Sequence, residues 1–506
     1  MIPLRLAQEL TYQLEEAHED ERLARALASI PIFLVLCKGV DRWDMLHDWQ
    51  RLSKRGIEPE AYYRISLESL PDDSSLIPDA LVRLNDFFET RGAYVLSEEL
   101  LNTLLAWAIE REDLTRELEA HRGLGILDTR SGNFDSALLH LQHSASLAES
   151  LGDQLSLSMA YGNMGVIYKH QGRNTEAMEY QSRNHAIAEP IGHKRGVASA
   201  KGNMGLIHFT QGRYADAMIG HRHQLAIAES LGDKQLIAGA TGNIGLVHMD
   251  LGEYADAMSC YERMLALNES LGNTRGVMLA VGSMGIVHIH QGRYAQSMEH
   301  FERQFSLSQK LGDRSGMVVS TGNIGFVLTE LGKYHEAVVS FNSAIAMSHE
   351  FGFRFGLVTW HEGIARALIL LAEKGRLHSK EDTDEDCKAI LIEARQNAEE
   401  CLRLSEELGN HESIFKSKVL LARITAEEGN SNIAIEQFEN MLKVATESKH
   451  ITELHFWQWK VNGNDLNRQE ALAGYLSLAK HVHLFEYQQR IAELKGQRIP
   501  KSADDL

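Results

Sequence analysis

Residues 233–272 read DKQLIAGATGNIGLVHMDLGEYADAMSCYERMLALNESLG. Apolar residues recur at helical spacing on both sides of Gly252, and a second break falls at Gly272. Glycine just past a helix end is the expected C-terminal cap, because the left-handed conformation there costs it little. The stretch therefore predicts two helices, from Asp233 to Leu251 and from Tyr254 to Leu271, antiparallel across a short turn. Asp233 is placed to cap the first by accepting a backbone N–H. A single pair of this size leaves an apolar face uncovered, so further pairs must stack on it.

The rest of the chain supplies them at a period of 40 residues. Gly125, Gly165, Gly205, Gly245, Gly285 and Gly325 form one comb; Gly132, Gly172, Gly212, Gly252, Gly292 and Gly332 form a second. Gly152, Gly192, Gly232, Gly272, Gly312 and Gly352 form a third. Asp153, Asp233 and Asp313 follow members of the third comb as N-caps. Gly92 lies one period before Gly132, so a degenerate unit begins near residue 77. Small residues recur in the second helix at Ala177, Ala217, Ala257 and Ala337, where close packing leaves no room. An aromatic stands four residues after that position at Tyr261, Phe301 and Phe341. Met178, Met218, Met258 and Met298 follow the same position and read as packing residues.

Composition agrees. The chain has 506 residues, 44% hydrophobic and 24% charged. Of seven prolines, only Pro190 falls between Pro78 and Pro500, which favours an all-helical chain. The net charge of −19 argues against nucleic acid as a direct partner, since phosphate binding needs a basic footprint. Cys37, Cys260, Cys387 and Cys401 are scattered without a CxxC pair, as expected in a reducing compartment. The start lacks a signal-peptide layout, and the apolar run at 30–37 is too short to span a membrane. The expectation is a soluble cytoplasmic protein with no membrane partner.

One motif contradicts simple helix propensity. GNMG occurs at 162–165 and 202–205, GNIG at 242–245 and 322–325, and GSMG at 282–285. Each interior glycine costs about 0.8–1 kcal/mol relative to alanine. A phosphate-cradling loop needs exposed backbone amides, and the motif falls mid-helix instead. Close approach of a neighbouring helix is the simpler gain, since glycines three apart share a side.

The asparagine faces elsewhere. At ~100° per residue, positions −4, +3 and +7 share its side. Asn163 then groups with Met159, Val166 and His170, and Asn203 with Ser199, Leu206 and Thr210. Asn243 groups with Gly239, Leu246 and Asp250; Ser283 with Leu279, Ile286 and His290; Asn323 with Val319, Phe326 and Glu330. This strip lies off the core of each pair. An asparagine amide offers one donor group and one acceptor, enough to pair with a peptide C=O and N–H together. Equally, it can bond a neighbouring helix and fix the stack.

Glycine or alanine in the first helix, then alanine and an aromatic in the second, resembles the tetratricopeptide repeat in its 40-residue form. The resemblance covers residues 77–356. It implies an all-α, right-handed superhelical solenoid of antiparallel helix pairs, the first helices lining the concave face. The repeated asparagines resemble the ladder of kinesin light chain and related adaptors, which grip a peptide backbone. That carries over to Asn163, Asn203, Asn243 and Asn323; Ser283 departs from it. The candidate peptide-binding set is these five residues with Ser199, Leu206, Leu246, Ile286, Phe326, His170 and His290. Residues 1–76 are helical but off-period. They resemble the segment joining the NTPase core to the repeats in nephrocystin-like NACHT–TPR proteins, although no GxxxxGK[ST] motif occurs.

The expected organisation is a helical cap over 1–76, seven 40-residue units over 77–356, variant pairs over 357–448 and closing helices with a tail over 449–506. An acidic insert at 378–387 reads as a solvated loop. His208, His248 and His288 recur facing the second helix, and spacing along stacked helices keeps them from sharing a metal. The HxH pairs at His221/His223, His288/His290 and His481/His483 point apart on a helix. No nucleophile elbow or HExxH motif is present. The reading is therefore a non-enzymatic scaffold for a protein or peptide, without cofactor or metal. The alternative is a sensor module of a NACHT/STAND-type system that controls an effector. Self-association or an effector complex is left open.

Overall fold

The computed structural model describes residues 3–500 except 38–40, 72–73, 91–92, 312, 351–355, 379–383 and 481–483. Twenty-six helices and no strand occur among the described residues. From Ile77 onward they come in pairs. The clearest are Gln154–His170 with Asn174–Ala188, Lys194–Thr210 with Tyr214–Leu231, and Lys234–Asp250 with Tyr254–Ser270. Thr274–His290 with Tyr294–Leu311 and Arg314–Glu330 with Tyr334–Glu350 continue the array. The whole is a right-handed solenoid of antiparallel helix pairs.

The punctuation acts as physics requires. All six turn glycines from Gly132 to Gly332 are left-handed, with φ between +70° and +79°. Gly152, Gly192, Gly232 and Gly272 are too, while Gly312 and Gly352 lie outside the described residues. The carboxylates of Asp153, Asp233 and Asp313 accept from the backbone N–H of Ser156, Leu236 and Gly316 at 3.0–3.1 Å. Ala177, Ala217, Ala257 and Ala337 are wholly buried between helices.

Residues before the array are fused to its first pair. Phe33, Trp49, Tyr63, Phe87 and Phe88 make one aromatic core, in which the Trp49 indole N–H donates to the Tyr63 hydroxyl at 3.0 Å. After the array, Leu357–His378 pairs with Asp384–Glu407. The acidic stretch is thus helical at both margins: His378 ends one helix, and Asp384–Cys387 start the next with Cys387 buried. Residues 379–383 lie outside the described residues. The pair His411–Glu427 and Ser431–Leu442 and three closing helices, Ser448–Asn462, Asp465–Leu478 and Phe485–Leu494, complete the chain. No helix among the described residues is long and apolar enough to cross a membrane.

Candidate functional site

Successive first helices touch one another directly along the array, in addition to packing on their own second helices. That closer spacing makes their side the inner, concave one. On this side lie Asn163, Asn203, Asn243, Ser283 and Asn323, all half-buried.

The glycines of the same motif face the other way and form notches. A Cβ at Gly165 would stand 2.6 Å from the Gln181 amide, one at Gly205 2.8 Å from the His221 ring, and one at Gly245 2.9 Å from Tyr261. At Gly285 and Gly325 the rings of Phe301 and Phe341 stand 2.8 Å away. Gly162, Gly202, Gly242 and Gly282 receive Asn184, Gln224, Met264 and Gln304 in the same manner. In these four units each second helix inserts two side chains into the first helix of its own pair, whereas Gly322 receives Trp360 from the helix after its pair. Their burial offsets the glycine cost: filling a notch with Phe is worth about 1.5–3 kcal/mol.

The asparagines divide. The Asn243 amide donates to Gln224 Oε1 at 3.4 Å, tying one unit to the second helix of the unit before. Ser283 lies near Tyr261 of the preceding unit. Asn163, Asn203 and Asn323 form no side-chain hydrogen bond among the described residues. Met159 beside Asn163 and Leu279 beside Ser283 leave apolar surface open, 37% and 50% exposed. Ser199, Leu206 and Leu246 are half-buried on the same strip.

Other members of the candidate set are engaged within the fold. Phe326 packs edge-on to Phe341 with centroids 5.0 Å apart and leans on Trp360. Ile286 packs against Tyr294 and Phe301. His170 stacks on Phe134 and His290 on Tyr254, both with centroids 6.1 Å apart. These stacks belong to a second ladder with a 36-residue stride that helical wheels did not reveal. In it, the residue opening each second helix meets the end of the next first helix. Thr210 donates to Asn174, Tyr214 to Asp250 and Tyr294 to Glu330. Glu330 is also ion-paired to Arg366 at 2.6 Å.

The histidines follow packing rather than ligation. His221 is wholly buried, and burial lowers its pKa from 6.5 to about 4. His288 stacks on His300. Two clusters do bring three ligand atoms within 4.8 Å of one another: His248, Glu253 and Asp256, and Glu412, Glu447 and His450. The second already contains a cation, the Lys449 ammonium 2.9 Å from Glu412. In the first, His248 pairs directly with Glu253.

Stacked helix pairs with notched first helices and an inner polar strip define a class, the helical-repeat solenoid. Within it the family is specific. A tetratricopeptide repeat family model matches residues 156–230 and 276–349, and a second tetratricopeptide repeat model matches 240–274. The chain carries tetratricopeptide repeats over these residues. No curated protein matches its sequence. Among solved structures, it is similar to a Rap protein complexed with competence and sporulation factor, at 15% identity and a TM-score of 0.44, over 79% of this chain and 98% of that one. It is also similar to a signal transduction ATPase (STAND protein) with a tetratricopeptide repeat sensor from Pyrococcus horikoshii. That match has 11% identity and a TM-score of 0.44, over 90% of this chain and 70% of the other. Yeast Tom70 matches at 13% identity and a TM-score of 0.43, over 89% and 94% of the two chains.

Proposed function

We propose that the chain is a protein-interaction scaffold that holds a peptide segment of a partner along its inner face. The observation that carries this reading is the inner strip, where half-buried amides at Asn163, Asn203 and Asn323 share a side with open apolar side chains at Met159 and Leu279. Stacked helices advance about 8–10 Å per step, and an extended peptide about 3.3 Å per residue. Successive amides thus meet a bound peptide at roughly every third residue and pair with its backbone. Backbone pairing gives affinity, and the apolar neighbours read side chains. Asn243 braces the stack, and Ser283 lacks the amide, which divides the strip into two gripping stretches.

Affinity capture followed by mass spectrometry identifies the partner. An NTPase or protease effector among the captured proteins would redirect the reading to a regulatory module. With a peptide in hand, Asn163→Ala, Asn203→Ala and Asn323→Ala are expected to weaken binding about fivefold or more each at unchanged Tm. Asn243→Ala is expected to lower Tm instead, through its lost bond to Gln224. A drop in Tm with intact binding at Asn203 would overturn the assignment.

A further inference from the structure

The turn glycines provide an internal control. Gly172, Gly212 and Gly332 share one left-handed conformation with Gly292, and nothing lies within 4 Å of where a Cβ would sit on any of those three. At Gly292 that position lies 2.6 Å from the Phe485 ring. Gly252 and Gly292 are buried, while Gly172 and Gly212 are exposed. Tyr254 and Tyr294 are buried as well, where their counterparts Tyr214 and Tyr334 are half-buried. Two successive units are covered, and the units on either side are not.

The cover is the far end of the same chain. Phe485 sits edge-on to Tyr294 with centroids 6.2 Å apart and shares a cluster with Phe301 and Val327. Leu484 packs on the next cluster back, formed by Tyr254, Ala257 and Tyr261. Glu486 beside them is exposed and lies 3.6 Å from Arg490 of its own helix. His290 belongs to the inner strip, so the covered turns border the groove.

We propose that Leu484 and Phe485 form a detachable latch, and that the seat they occupy accepts a partner segment with an aliphatic residue followed by an aromatic one. Each of the two has its own receiver: the Tyr254–Tyr261 cluster for Leu484, and the bare Cα of Gly292 beside Tyr294 for Phe485. Gly172, Gly212 and Gly332 leave the space of the missing Cβ empty, whereas at Gly292 the Phe485 ring takes it. The seat is therefore absent from those three turns of the array. The inference deepens the groove reading, yet it is tested with the chain's own segment and is independent of the asparagines.

The probe is a fluorescent peptide of residues 484–495, LFEYQQRIAELK, added to the full chain. Wild type is expected to bind it weakly. Phe485→Ala vacates the seat and is expected to bind it at least tenfold more tightly, with faster amide exchange over residues 285–301. Adding Gly292→Ala to that variant should abolish the gain, and adding Gly332→Ala should not. Both glycine changes carry the same left-handed strain, and only the first meets the ring. Where Phe485→Ala unfolds the closing helices, the single variants decide: exchange over 485–494 is faster in Gly292→Ala than in Gly332→Ala. Equal peptide binding by wild type and Phe485→Ala, or identical behaviour of the two glycine variants, overturns the latch.

Discussion

The units around residues 154–231 and those around 274–350 share backbone, caps and glycine notches, but they fill the notches with different chemistry. In the first group the inserted residues are polar. Gln181 donates its amide to the Gly162 carbonyl at 2.7 Å, and the Ser158 hydroxyl donates to Asn184 at 2.5 Å. His221 and Gln224 fill the next pair. In the second group Phe301 and Phe341 fill the inner notches. A buried hydrogen bond adds a net ~1 kcal/mol, whereas a buried phenyl ring adds about 1.5–3. One architecture thus has a firm half and a softer half, set by the side chain that enters each glycine.

The sharpest way to break this comparison is truncation. Phe341 lies between Gly325 and Gly363, against Trp360, with none of its surface exposed. Phe341→Ala is expected to cost about 3–5 kcal/mol in urea unfolding, and Gln181→Ala about 1–2. Equal costs would refute the division into halves.

Acid is the next probe. His221 has a folded pKa of about 4, against 6.5 when unfolded, because burial penalises the imidazolium. The unfolded chain therefore takes the proton first. The stabilisation is complete above pH 6.5 and is lost as pH falls toward 4, at about 1.4 kcal/mol per pH unit. Denaturant midpoints measured at pH 7.5 and pH 5 should converge in His221→Gln, which copies Gln181 from the unit before.

Smaller changes sharpen the notch itself. Gly285→Ala meets Phe301 and is expected to cost about 1–3 kcal/mol. Gly239, an exposed helical glycine with nothing within 4 Å, is expected to gain roughly 0.5–1 kcal/mol on Gly239→Ala. Opposite signs of ΔTm for these two changes separate packing from propensity.

Local chemistry made much of this legible in sequence. Asp153, Asp233 and Asp313 cap as their positions demand, and the turn glycines adopt the conformation that only glycine takes cheaply. Ala177 and its counterparts are buried because a helical period places them there. Gly165 and Gly205 implied a close neighbour, although not which side chain it was. Depth was harder to read, because a helical wheel gives a direction and not a distance. Phe326 shares the angle of Asn323, but Phe341 and Trp360 stand close enough to draw its ring inward. Asn243 faces inward as expected and is then captured by Gln224, nineteen residues earlier on another helix. The return of Phe485 to Gly292 depends on curvature summed over many units. Each contributes a small rotation, and no local residue pattern encodes the total.

That return gives the array a count. A linear solenoid can gain or lose a repeat with little penalty, since every unit meets only its neighbours. Here the closing helix must arrive at Gly292 with Phe485 in register. Inserting one 40-residue pair after residue 312 would carry the ring past its seat, and deleting one would leave it short. The number of repeats between the seat and the closing helix is therefore fixed by geometry, and duplication, the usual route by which such proteins lengthen, is confined to the segment before it.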